Sequence, residues 1–191
     1  MTKKYEKAIK EIIKFKKFFN NIEPKIPNKL KGDIGELYVL RELEKRGFTC
    51  EHKGGFAGCD IYMPDVNKRI EVKTSLLKNE NIFDRGINFY GWKIQNKNQK
   101  RIEKFDILAC VALDDEFINP NFYIFTYQEA FSVEDVNIRR YKNIKKKICL
   151  FEDRKAFESA KKTKPRLVTK FERFFNRYPR KFLNRWDKIS N

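Results

Sequence analysis

The stretch from Gly54 to Ser75 constrains this chain more than any other part of it. Gly54, Gly55 and Gly58 break one connection, and Pro64, Asp65 and Asn67 make a second one a tight turn. Around these breaks lie three short strand candidates, Phe48 to Lys53, Cys59 to Met63 and Arg69 to Ser75. In the last of them Ile70, Val72 and Thr74 alternate with Glu71 and Lys73. Side chains on a strand point to opposite faces in turn, so a carboxylate and an ammonium share one face, their Cα atoms about 6.5 Å apart. That spacing leaves room for a metal ion and a water.

Asp60 joins this pair only if the intervening turn has the right length. With Pro64, Asp65, Val66 and Asn67 as a four-residue turn, Met63 pairs with Lys68 and Asp60 falls opposite Glu71. A five-residue turn puts Asp60 on the other face unless a bulge corrects it. Two carboxylates so placed suit Mg²⁺, a hard cation that accepts one or two carboxylates and keeps waters for phosphate oxygens. Phosphodiester hydrolysis needs such an ion, and Lys73 can orient the attacking water or stabilise developing charge.

A helix is expected from about Asp33 to Arg46, stopped by Gly47. Glu36 lies in line with Leu40 and Leu43 on its apolar face. An inward carboxylate is costly unless paired or metal-bound, so Glu36 either reaches the same site or forms a salt bridge with a neighbouring lysine.

Composition narrows the chemistry. Among 191 residues, 43 Lys and Arg face 26 Asp and Glu, a formal charge of +17 that points to a polyanion, with nucleic acid first. His52 is the only histidine, which excludes multi-histidine zinc sites, and no P-loop motif is present. Cys50, Cys59, Cys110 and Cys149 form no C-x-x-C pair and read as reduced core cysteines. The lack of any long apolar run argues against a membrane span and for a cytoplasmic protein.

Elsewhere, Tyr5, Ala8, Ile9, Ile12, Phe15 and Phe19 recur at helical spacing among lysines, predicting a basic amphipathic helix that ends near Asn20. A helix is expected around Trp92, Gln95 and Gln99, before an apolar strand from Phe105 to Leu113. There follow a strand at Phe122 to Phe125, a short helix at Tyr127 to Phe131 and a strand ending near Phe151. Three units are expected: residues 1–27, a helix and linker; 28–151, the core; and 152–191, a basic helical extension. In the extension Phe171, Phe174, Phe175 and Phe182 are expected to dock on the core or a partner subunit, with the basic residues outward.

The texts Gly32-Asp33-Ile34-Gly35-Glu36, Gly58-Cys59-Asp60-Ile61 and Glu71-Val72-Lys73-Thr74 resemble the PD-(D/E)XK nuclease superfamily over about Lys31 to Leu113. That superfamily includes restriction endonucleases, archaeal Holliday junction resolvases and intron-encoded endonucleases. The resemblance implies an α/β restriction-endonuclease-like core, a mixed central sheet flanked by helices in the order α-β-β-β-α-β. It implies that Asp60 and Glu71 bind Mg²⁺, with Mn²⁺ as a substitute, that Lys73 assists the attacking water, and that Glu36 has an auxiliary role. Cys59 stands where the family often has proline. Some members carry a functional glutamine after the lysine strand, which makes Gln95 and Gln99 candidates beside a solvated-helix reading. Lys93, Lys97, Lys100 and Arg101 around them suit phosphate contacts. The expected activity is DNA cleavage by a homodimer, since one such site cuts one strand. A junction resolvase and a non-catalytic DNA-binding module are the alternatives.

Overall fold

The structure is a computed structural model that describes residues 3–20, 27–54, 59–82, 85–94, 105–131, 146–151, 162 and 179–190. In chain order the elements are α1 (Lys3–Asn20), α2 (Asn28–Lys45), β1 (Glu51–His52), β2 (Ile61–Met63), β3 (Lys68–Leu76), β4 (Lys78–Ile82), β5 (Arg85–Ile94), β6 (Ile107–Leu113), β7 (Asn121–Thr126), α3 (Tyr127–Phe131), β8 (Lys146–Phe151) and α4 (Pro179–Phe182). A five-stranded sheet has the order β1-β2-β3-β6-β7, and a three-stranded sheet the order β4-β5-β8. Among the described residues only the β3–β6 pairing is parallel.

β6 is the middle of the molecule. All seven of its residues are buried, as a continuous apolar run covered on both faces should be. Ile107, Ala109, Val111 and Leu113 face a core shared with Ile34, Leu40 and Leu43 of α2 and Tyr5 and Ile9 of α1. Leu108, Cys110 and Ala112 face a second core with Tyr90 and Trp92 of β5. The sheet is therefore mixed, with helices over one face and the smaller sheet contributing to the other.

The chain ends are tied into both layers. Trp186 and Ile189 are buried in the first core and Phe182 in the second, its ring 4.4 Å from that of Phe125. Phe171, Phe174 and Phe175 lie outside the described residues.

Two expectations about element limits change. α2 begins at Asn28, directly after Pro27, whose fixed φ suits a helix entry, and runs through Gly32 and Gly35. It ends as expected, with Gly47 at φ +86 and the Phe48 amide bonded back to the Leu43 carbonyl. The helix expected around Trp92 is not there, because β5 runs through Trp92 and Lys93 to Ile94. Strand geometry lets Tyr90 and Trp92 enter the core together while the Gly91 amide bonds Ser75 Oγ and the Trp92 indole bonds the Val111 carbonyl, both at 3.0 Å. Residues 95–104, the rest of that expected helix, lie outside the described residues.

The close seating of α2 on β3 depends on a glycine. A Cβ on Gly35 would lie 1.8 Å from Thr74 Oγ1 and 3.0 Å from Thr74 Cβ, whereas one on Gly32 would meet nothing within 4 Å. Alanine favours helix over glycine by up to about 1 kcal/mol, but overpacking costs about 1–3 kcal/mol. We expect Gly32→Ala to stabilise the protein slightly and Gly35→Ala to destabilise it by about 1–3 kcal/mol in denaturant unfolding. Equal stability of the two variants would show that α2 does not need this approach.

Candidate active site

The turn between β2 and β3 has the four-residue length expected. A 3-10 turn at Pro64–Val66 and Asn67, at φ +49, close it. Met63 then pairs with Lys68 and Ile61 with Ile70. The ladder ends at Ile61, and the Asp60 amide bonds the carbonyl of Ile70, the residue already opposite Ile61, at 3.0 Å. It stops there because the Asp60 carboxylate itself accepts the Val72 amide, at 2.7 Å. A side chain has taken the place of a main-chain acceptor, which is why β2 is shorter than the Cys59 to Met63 expected. The Asp60 carbonyl meanwhile accepts the Lys53 amide at 2.8 Å.

Glu71 and Lys73 share the face of β3 that Leu108 and Cys110 continue on β6. The Lys73 ammonium donates to Glu71 Oε1, and both side chains remain partly exposed. Glu71 is thus a carboxylate already matched to a cation and still open to solvent. Cys59 is buried next to it, its thiol pushed up by burial and by the charges of Asp60 and Glu71.

Glu36 arrives from α2, the residue after the glycine that seats the helix on Thr74. Its side chain is 16% exposed. Burial raises its pKa and the charge of Asp60 raises it further, against a lowering hydrogen bond from His52. The Coulomb effect places Glu36 within electrostatic reach of Asp60. His52 Nε2 lies 2.5 Å from Glu36 Oε2. The alternative of a lysine partner for Glu36 gives way to this imidazole.

The sequence therefore led to Asp60, Glu71, Lys73 and Glu36, and missed His52 as a neighbour of the group. The signal was present but indirect: His52 precedes the glycines and pairs with Ile61, the residue after Asp60. Lys93 lies on β5 with its side chain outside the described residues, and Gln95, Lys97, Gln99, Lys100 and Arg101 lie outside them altogether.

Among the described residues no group of three or more His, Cys, Asp or Glu converges on a metal position. The acidic side chains at hand are those of Asp60 and Glu71, and a hard dication accepts one or two carboxylates when waters fill its other positions. A cleft of about 430 Å³ lies at the start of β3, lined by Lys68, Asp106, Glu129, Arg185 and Lys188. There Arg185 and Lys188 already pair with Asp187 and Glu129, which leaves it a structural feature.

No helix among the described residues is long and apolar enough to cross a membrane. No protein-family model and no curated protein matches this chain. Among solved structures, a bacterial homing endonuclease, I-Ssp6803I, superposes with a TM-score of 0.48 at 21% identity, over 86% of this chain and 94% of that one. At this degree of likeness neither fold family nor activity transfers from that enzyme.

Proposed function

We propose that this chain is a metal-dependent DNA endonuclease of the PD-(D/E)XK superfamily, built on a restriction-endonuclease-like core. The observation that carries the reading is the Asp60 carboxylate on the amide of Val72, the residue between Glu71 and Lys73, whose side chains share one face of β3 and pair with each other. The succession α2, β1, β2 and β3, with β6 alongside β3 in a mixed sheet, supports the reading. DNA as the substrate rests on the +17 charge.

Asp60 and Glu71 would hold Mg²⁺, with Mn²⁺ as a substitute. Bound there, the ion supplies Lewis acidity to the scissile phosphate and an acidified water. The protein's own groups do the rest. Asp60 is locked by the Val72 amide, which fixes the direction of its free oxygen. Lys73, held by Glu71, presents an ammonium that orients the attacking water and offsets charge building on the phosphate. Glu36 adds a carboxyl at the edge of the site, steadied by His52. Cutting both strands of a duplex calls for two such sites, hence a homodimer.

The direct test incubates the protein with plasmid, linear duplex and four-way junction DNA, with Mg²⁺ or with EDTA. Mg²⁺-dependent duplex cutting is the expected result. Selective junction cutting would make it a resolvase, and binding without cleavage a DNA-binding module.

Asp60→Asn keeps an oxygen for the Val72 amide while removing the charge, so it separates the metal role from the strand end. We expect cleavage by Asp60→Asn, Glu71→Gln or Lys73→Ala to fall about 100-fold or more in single-turnover assays, with DNA affinity little changed. Full Mg²⁺-dependent activity in Asp60→Asn would remove the proposed site.

Glu36 gives a test in which stability and rate move oppositely. A carboxyl whose folded pKa is raised stabilises the protein below its ordinary value of 4.5 and loses that contribution as pH rises through the folded value. Glu36→Gln removes this loss, so its melting temperature should rise relative to the parent above pH 4.5, the gap widening toward neutrality. Its cleavage rate per folded molecule should drop. Lower stability with an unchanged rate would make Glu36 structural only.

A further inference from the structure

We propose that the outer face of α1 is a second DNA contact, a row of lysines that tracks the phosphates of one strand outside the cutting site. The proposal rests on DNA being the substrate and adds a surface that the catalytic reading does not use. Lys3, Lys7, Lys10, Lys14 and Lys17 are all exposed, and they recur at alternating steps of four and three residues. At 100° per residue this sequence of steps keeps all five within about 80° of arc. The opposite face carries Tyr5 and Ile9, buried in the core shared with α2, so the helix is fixed with its lysines outward. Glu6 and Glu11 sit at the two edges of the arc, and Lys14 pairs with Glu11 at 3.0 Å.

A face kept only for solubility mixes signs. Here each neighbouring pair along the row, Lys3 with Lys7 through Lys14 with Lys17, sets like charges three or four residues apart, an arrangement that weakens a helix. A bound polyanion removes that repulsion. The row spans about 21 Å, the length over which one DNA strand presents about six phosphates. Five lysines over that length come close to one per phosphate, and the contact carries no base reading. An anionic membrane is the competing partner for a basic helix. Membrane-surface helices need a free apolar face, and that of α1 is buried in the core, with Phe15 and Phe18 the exposed aromatics at one end.

The test measures binding of the full chain to a fluorescent 30-base-pair duplex in EDTA, so that cleavage plays no part, across a range of salt concentrations. One variant carries Lys3→Gln, Lys7→Gln, Lys10→Gln and Lys17→Gln, and a charge-matched control carries Lys29→Gln, Lys45→Gln, Lys162→Gln and Lys181→Gln. Each lost phosphate contact flattens the slope of log K against log salt by about 0.9, so the α1 variant should lose as much as about 3.6. Its affinity near physiological salt should fall at least about 10-fold, with little change in the control. Equal flattening in both variants would reduce the effect to net charge and overturn the proposal, as would an unchanged slope in a folded α1 variant. Binding of phosphatidylserine vesicles that the α1 substitutions abolish, with DNA binding unmoved, would overturn it in favour of a membrane. No DNA binding by the unsubstituted chain would overturn the nuclease reading along with it.

Discussion

Side chains on a strand change face at every residue, so the length of one connection decides whether Asp60 and Glu71 can meet. Pro64 to Asn67 provide four residues, closed by the left-handed Asn67, whose side chain accepts the Tyr62 hydroxyl at 3.0 Å. A fifth residue would turn Asp60 away and leave Glu71 and Lys73 as an isolated ion pair. The same turn is held from outside, because Asp65 accepts the Thr49 amide at 2.6 Å. The register is thus fixed at both ends, by the turn and by the Asp60 carboxylate on the Val72 amide.

The rest of the candidate site follows from how closely α2 can approach that hairpin. Thr74 and Gly35 touch where any larger residue would collide, and this contact brings the next residue, Glu36, to the edge of the sheet. Thr74 Oγ1 is buried there without a hydrogen-bond partner among the described residues, an arrangement that costs stability. On the far side of β3, Arg69 binds Asp106 through its main-chain amide at 2.8 Å and its guanidinium at 3.1 Å. Burial raises the pKa of Asp106, but these bonds and the Arg69 charge outweigh it and hold the carboxyl below its usual range. That pair locks β3 to β6 and keeps the strand that bears Glu71 and Lys73 from sliding.

How much of this could be read from sequence depends on whether the deciding interaction is local. The turn was legible because proline, aspartate and asparagine have local backbone preferences, and β6 because an unbroken apolar run has few other places to go. The extent of β2 was not, since it ends through a side chain bonding to a different strand. The segment around Trp92 was misread for a related reason. Its polar neighbours hid the two-residue alternation of Tyr90 and Trp92, whose burial comes from β6 and β7, distant in sequence. His52 was legible only as a count. Its role as the partner of Glu36 requires β1 to pair with β2 and α2 to lie over them, and no sequence window contains all three.

Glu36, Asp60 and His52 form a group that the fold alone would not favour. Burial disfavours the Glu36 carboxylate, and the charge of Asp60 disfavours it further. His52 relieves part of this through one hydrogen bond, while its ring remains about half exposed. If the group served only packing, glutamine at position 36 would bond the imidazole equally well without the electrostatic cost. α2 carries other buried polar atoms under strain, Arg41 Nε and Glu44 Oε2, which have no hydrogen-bond partner among the described residues. The Glu36 carboxylate thus costs stability in the protein by itself, and a bound cation would lower that cost.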